Sequence, residues 1–325
     1  MRSFARMEEA LIIQPTLDGS STLYAERFAQ TYHSTGGAIQ ESQYVYIEAG
    51  LQFACAQRWG LALGSAQVPE ALAASADEPP LRVFEMGFGT GLNALLAWQM
   101  KRPRAVRYQS VELFPLPEDV WTAYAHALAA PHAATAPYAP TAPYAPTVPH
   151  APTVPHAPTA THTPTASLSE AETERLIQLH RCPWNRPVAL DSTFTLYKCR
   201  GDVREILAPP PALPPALPPD PSRQPDADLF QPNAELFQPN AELFQPYDVV
   251  FYDAFSPDAQ PELWTRDIFE QLAAKMHPGS VLTTYSAKGT VKQALRDSGF
   301  EVHRLPGFGG KRHMVRAIKR SDEIN

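Results

Sequence analysis

One stretch constrains this chain more than any other. The apolar run Leu81-Arg-Val-Phe-Glu-Met86 breaks into Gly87-Phe-Gly-Thr-Gly91 and is followed at once by the helical pattern of Leu92 to Met100. A short apolar run closed by glycine reads as a strand, and a strand that opens a helix through a glycine loop is half of a parallel βαβ unit. The chain goes on in the same manner. Arg107 to Glu112 reads as a second strand, and Phe194 to Cys199 as a third, closed by Gly201-Asp202 ahead of a helix from Val203 to Leu207. Tyr247 to Asp253 is the fourth and most apolar, as a central parallel strand covered on both faces should be. Ser280 to Tyr285 and Glu301 to Leu305 add two more, each after a helix ending at Gly279 or Gly299, and Met314 to Ile318 supplies the last. The expected fold class is α/β, a Rossmann-like parallel sheet wound on both faces.

Proline decides which residues can join that sheet. Of 35 prolines, ten lie between Pro131 and Pro164 and twelve between Pro209 and Pro246. The first stretch repeats the hexapeptide Ala136-Pro-Tyr-Ala-Pro-Thr141, with proline at every third residue and no hydrophobic face to bury. It is expected to be solvated polyproline II or disordered. The second repeats Leu-Phe-Gln-Pro-Asn-Ala-Glu, a period too short for a solenoid, and reads as an expanded surface loop. The expected organisation is therefore an N-terminal extension over 1–60 packing on a catalytic domain over 61–325, interrupted by inserts at 131–166 and 208–246. Four histidines in or beside the first array, His132, His150, His156 and His162, have no preformed geometry, so no metal is assigned.

The totals exclude several classes. No apolar run reaches membrane-spanning length, and the charged start Met1-Arg-Ser-Phe-Ala-Arg does not resemble a secretory leader, so a cytoplasmic protein is expected. Cys55, Cys182 and Cys199 are odd in number and widely spaced, which suits reduced, structural thiols. A net charge of −7 argues against a general polyanion binder, yet Lys288 to Arg320 holds nine basic residues against two acids. That end could face a polyanion, or could be a solvated basic face.

The glycine loop lets a ligand approach the backbone at a helix N-terminus. Its G-x-G-x-G spacing, with Glu85 just ahead, departs from the pyrophosphate-binding pattern. An acid there disfavours phosphate and suits a ligand that carries an ammonium and a sulfonium, such as S-adenosylmethionine. Three acids then fall at strand ends: Glu112, Asp202 and Asp253. Ligands of open α/β sheets bind beyond the carboxyl ends of the strands, so these side chains should line one crevice. Glu112 would accept from both ribose hydroxyls and Asp202 from the adenine amino group, while Asp253 would stand beside the reacting methyl. The competing reading for each is a helix cap or loop acid.

Seven segments resemble one family, the methyltransferase domain that completes 5-methylaminomethyl-2-thiouridine at the tRNA wobble position. They are Tyr44-Val-Tyr-Ile, Gly87-Phe-Gly-Thr-Gly-Leu-Asn93, Val111-Glu-Leu-Phe-Pro-Leu116, Gly201-Asp-Val-Arg-Glu-Ile206, Asp253-Ala-Phe-Ser-Pro-Asp258 with Pro261-Glu-Leu-Trp264, Thr284-Tyr-Ser-Ala-Lys288 and Gly307-Phe-Gly-Gly-Lys-Arg-His-Met314. The resemblance implies a class I methyltransferase fold that binds S-adenosylmethionine through Glu85, Gly87, Gly89, Gly91, Asn93, Glu112 and Asp202. It implies methyl transfer to the aminomethyl nitrogen of the wobble uridine in tRNA, with Asp253 as the positioning group. Phe255 and Pro257 would shape the base pocket, and Lys288, Lys311 and Arg312 would meet phosphates, although Lys311 and Arg312 could equally be strand-edge charges. The family also occurs fused to a flavin-binding domain, which is not found in this sequence, so the stand-alone form is expected. A spermidine-synthase-like aminopropyltransferase and a non-catalytic proline-rich adaptor are the alternatives; the basic C-terminal run suits the first poorly.

Overall fold

The strand Tyr247–Tyr252 buries every side chain but that of Asp248, and the fold is built outward from it. In a computed structural model, residues 10–59, 79–100, 104–130, 166–208 and 246–321 are described. Apart from their end residues, the two proline-rich stretches lie outside that set.

Numbered in chain order, the strands are β1 (Leu11–Pro15), β2 (Ser21–Ala25), β3 (Gln30–Thr31), β4 (Leu81–Met86), β5 (Val106–Glu112), β6 (Pro187–Ala189), β7 (Phe194–Arg200), β8 (Tyr247–Tyr252), β9 (Met276–Thr284), β10 (Phe300–Pro306) and β11 (His313–Lys319). The main sheet runs β10-β11-β9-β8-β4-β5-β7-β6. Its centre is parallel: β4 pairs with β5 and β8, β7 with β5, and β9 with β8.

Period-two alternation splits the core between two faces. Val83, Tyr108, Val249 and Phe251 face one layer, which includes the helices Leu92–Gln99 (α3), Glu118–Ala129 (α4) and Glu170–Arg181 (α5). Phe84, Val250 and Tyr252 face the other, with Val203–Leu207 (α6), Arg266–Ala274 (α7) and Gly289–Asp297 (α8). The three cysteines are free and buried.

The C-terminal strands depart from the all-parallel expectation. β11 lies between β10 and β9 and is antiparallel to both. The short loop 307–312 explains this, because a parallel neighbour needs a crossover about a dozen residues long. β6, which the sequence pattern did not mark, adds an antiparallel edge beside β7. The helix expected to end at Gly279 stops at Ala274, and Gly279, at φ +84°, sits inside β9 where its register against β8 shifts.

Residues 10–59 form a three-stranded antiparallel sheet, β1-β2-β3, followed by continuous helix: α1 (Ala38–Ser42), a ten-residue π-helix (Gln43–Gln52) and α2 (Phe53–Trp59). The π-helix lies directly on the main sheet at Gly50. A Cβ there would stand 3.0 Å from Thr283 Oγ1 and 3.1 Å from Phe251 Cε1. Gly50→Val should therefore overpack this seam and cost about 1–3 kcal/mol. Urea unfolding should show a lower midpoint with unchanged slope; an unchanged midpoint would mean the π-helix does not need this close approach.

Candidate active site

The carboxyl ends of β4, β5, β7 and β8 open onto a cavity of about 680 Å³, within the range of small-molecule sites. Gly87, Gly89, Asn93, Glu112, Asp202, Asp253, Phe255 and Lys311 line it. The glycine loop, the three strand-end acids and two of the expected substrate contacts thus meet in one place.

The glycines are explained by close approach. Gly87 has φ +90°, and a Cβ there would stand 3.0 Å from the Asp253 carbonyl; Gly89 has φ +48° and faces the Tyr32 ring at 3.0 Å. Backbone without side chains is what permits the adjacent strand-end loops to converge. Glu112 closes β5 with both oxygens engaged, Oε2 accepting from Gly89 N–H at 2.9 Å and Oε1 from Phe114 N–H at 2.8 Å. Asp202 caps α6, accepting from Arg204 N–H at 2.9 Å and from the Arg204 guanidinium, which holds its carboxyl below the usual range. The helix-cap reading therefore describes Asp202 even though it lines the cavity.

Asp253 is the most closely held group. Tyr46 of the π-helix donates to Oδ1 at 2.6 Å, and Asn93 in the first turn of α3 donates to Oδ2 at 2.7 Å. Burial pushes its pKa up to about 7 against these two hydrogen bonds, with Glu41 raising it and Lys311 lowering it. Tyr285 spans the same wall, its hydroxyl donating to the Ala254 carbonyl at 2.8 Å.

On the outer side the cavity is aromatic. Phe28 stacks on Phe255 with centroids 4.2 Å apart and planes at 24°, and Tyr32 meets Phe255 edge-on at 5.0 Å. Gln30 ties this wall to the loop after β8: its amide donates to Ser256 Oγ at 2.5 Å, and its carbonyl accepts from Ser256 N–H at 3.1 Å. Glu41 Oε1 accepts from Lys311 Nζ at 2.8 Å, and Glu41 Oε2 from Ser34 N–H at 2.7 Å. The glycines of the 307–312 loop make that reach possible, since a Cβ on Gly309 would stand 2.8 Å from Ser34 Oγ.

Five expected residues lie outside the cavity lining. Glu85 points to the opposite side of β4 from Phe84 and Met86, so it is buried at 1% exposure against Ser110, Tyr108 and Asn93, and burial lifts its pKa to about 8. Gly91 packs under Phe88, Leu176 and His180. Lys288 is exposed and pairs with Asp258. Arg312 is exposed, and Pro257 is half-buried outside the lining. Conversely, sequence reading gave no role to Glu41, Tyr46, Tyr285, Phe28 or Tyr32. The quoted segments containing Tyr46 and Tyr285 were the available signal for those two; Glu41, Phe28 and Tyr32 carried none.

The chain matches a family described as S-adenosyl-L-methionine-dependent methyltransferase over residues 228–320. It is 26% identical over 308 residues to the tRNA 5-methylaminomethyl-2-thiouridine biosynthesis bifunctional protein MnmC of Cupriavidus metallidurans, covering 93% of this chain and 33% of that protein. A 68-residue stretch is 47% identical to the protein of the same name from Ralstonia nicotianae, covering 21% of this chain and 10% of that one. The crystal structure of MNMC2 from Aquifex aeolicus superposes with a TM-score of 0.55 at 20% identity, covering 98% of this chain and 75% of that one. The chain is thus similar to the MnmC proteins and spans about a third of the length of the curated relatives it matches. Its architecture is the Rossmann-like class I fold of S-adenosylmethionine-dependent methyltransferases. No helix among the described residues is long and apolar enough to cross a membrane.

The Asp253 environment has a consequence for stability. A carboxyl raised from 3.8 to about 7 favours the folded state at low pH, and that contribution is lost as pH rises through about 7. Asp253→Asn cannot titrate. It should gain stability over the wild type, on the order of 1–3 kcal/mol, at pH 8 and much less at pH 5. Thermal melts at the two values test the sign; an equal difference at both would mean that Asp253 ionises normally.

Proposed function

We propose that this protein is a methyltransferase that takes its methyl from S-adenosylmethionine and places it on the aminomethyl nitrogen at carbon 5 of the wobble uridine in tRNA, giving 5-methylaminomethyl-2-thiouridine. The observation that carries the reading is the position of Asp253. It stands between a glycine loop with a strand-end Glu112, and an aromatic wall of Phe28, Tyr32 and Phe255. The first half suits an adenosyl ligand and the second a planar base. A cytoplasmic location accords with a tRNA substrate.

The residues fit the cofactor. Gly87 and Gly89 present bare backbone to the cavity, and Glu112 offers a carboxylate at the end of β5. In this reading Gly87, Gly89 and Asn93 hold the methionyl side, Glu112 takes the ribose hydroxyls, and Asp202 with Val203 borders the adenine. When bound, S-adenosylmethionine supplies a methyl carbon already activated by its sulfonium.

The protein's own task is alignment and proton handling. Asp253, fixed on both oxygens by Tyr46 and Asn93, receives the substrate ammonium and relays one of its protons to solvent, returning to the carboxylate and leaving the nitrogen lone pair free to attack. A carboxyl whose pKa is about 7 exchanges protons readily at neutral pH. The methyl carbon then gains a bond to nitrogen as its bond to sulfur breaks, and the secondary ammonium formed releases its proton to solvent.

Purified protein supplied with S-adenosylmethionine and tRNA bearing 5-aminomethyl-2-thiouridine should yield the methylated nucleoside on mass spectrometry. An unaltered nucleoside would end the reading. Asp253→Asn should lower single-turnover rates by about tenfold or more, and in the wild type kcat/KM should fall as pH drops through about 7. A wild-type rate in that variant would remove Asp253 from the reaction. Glu112→Ala should weaken cofactor binding by about tenfold or more, since bonds to a charged acceptor are strong; calorimetry returning an unchanged Kd would remove Glu112 from the cofactor site.

A further inference from the structure

We propose that the Glu41–Lys311 ion pair is a positioning device that sets the protonation of the reacting groups, with Lys311 holding Asp253 ionised and the bound substrate amine neutral while Glu41 tempers it. This deepens the methyltransferase reading and rests on it.

The argument begins with where the pair sits. Glu41 belongs to α1 and Lys311 to the loop between β10 and β11, yet both line the cavity that Asp253 lines. Glu41 has a side chain only 8% exposed, and Lys311 remains 42% exposed. A mere clasp between two surface segments would not need to point inward. Glu41 is held by Ser34 N–H on one oxygen and by Lys311 on the other, and the Lys311 ammonium rests 4.6 Å from the centre of the Tyr285 ring. The cation is therefore held on two sides, by Glu41 and by the Tyr285 ring.

The chemistry requires such a charge. A carboxylate beside an amine stabilises the ammonium form, which has no lone pair to offer. Asp253 alone would thus bind the substrate in its unreactive state. A cation in the same cavity opposes this, because it disfavours a second positive charge on the substrate and favours the negative charge on Asp253. The groups facing Asp253 are Glu41 from α1, Tyr46 from the π-helix, Glu85 from β4, Tyr108 from β5, Asn93 from α3, Tyr285 after β9 and Lys311. Of these, Lys311 alone is a cation. Glu41 acts on Asp253 in the opposite sense, and burial raises the pKa of all three tyrosines and of Glu85, favouring their neutral forms.

The pair thus sets one charge of each sign on the wall of the cavity that Asp253 lines. The test follows Asp253 by carbon NMR of full-length protein labelled at the aspartate carboxyl, with Asp253→Asn identifying its signal. Lys311→Met should raise the Asp253 pKa and Glu41→Gln should lower it, each by about half a unit or more. Lys311→Arg should leave it near the wild-type value, and the double variant should return toward it. The acid limb of kcat/KM on aminomethyl-bearing tRNA should move the same way in each variant. If both single variants lose activity alike while the Asp253 titration stays put, the pair is only a clasp and the inference fails. If the titrations shift as stated but wild-type protein leaves the tRNA unmethylated, the methyltransferase reading fails, and the role in catalysis with it.

Discussion

A half-buried carboxyl at the end of a buried strand needs donors in place of part of its solvent, and the two hydrogen bonds to Asp253 are what the site is arranged around. Removing an ionisable group from water is costly unless donors replace the solvent. Tyr46 and Asn93 do so from two different helices, which fixes the height of the π-helix and of α3 over the sheet. The close seat of Gly50 on Phe251 and Thr283 brings Tyr46 within reach. The positive φ of Gly87 lets the loop after β4 meet the Asp253 backbone. Packing and chemistry thus make the same demand on these residues.

The cavity has two halves with different origins. The sheet and its glycine loop make the half that suits an adenosyl group, and this follows from parallel topology alone. The other half comes from residues 28–41 and from the hairpin tip at 309–311, which meet across the mouth through Ser34, Glu41 and Lys311. The aromatic wall belongs to this second half. A scaffold common to many reactions is made particular by segments lying outside the central strands.

That division decides what could be read beforehand. The alternation of strands and helices, the crevice and the convergence of Glu112, Asp202 and Asp253 follow from periodicity and chain direction, which are local signals. The antiparallel placement of β11 was written in the shortness of the loop after Pro306, though strand counting alone passes over it. Motif position points Glu85 at a ligand, whereas strand alternation turns it under Asn93, out of the cavity lining. Lys288 was assigned by charge, yet its partner is Asp258, five residues past Asp253. Glu41, Phe28 and Tyr32 were invisible because their importance lies in what they touch, and no spacing in the chain encodes a contact between position 41 and position 311.

That contact spans 270 positions, nearly the whole chain. Closing so long a loop gains nothing until most of the molecule is in place, since its entropy must be met by contacts already formed. The sheet meets that condition, because β11 is anchored between β9 and β10 along its length. The contact between Glu41 and Lys311 therefore depends on the sheet that brings the two segments together. In the proposed reading, an RNA substrate approaches across this edge, between residues 28–41 and the 309–311 tip.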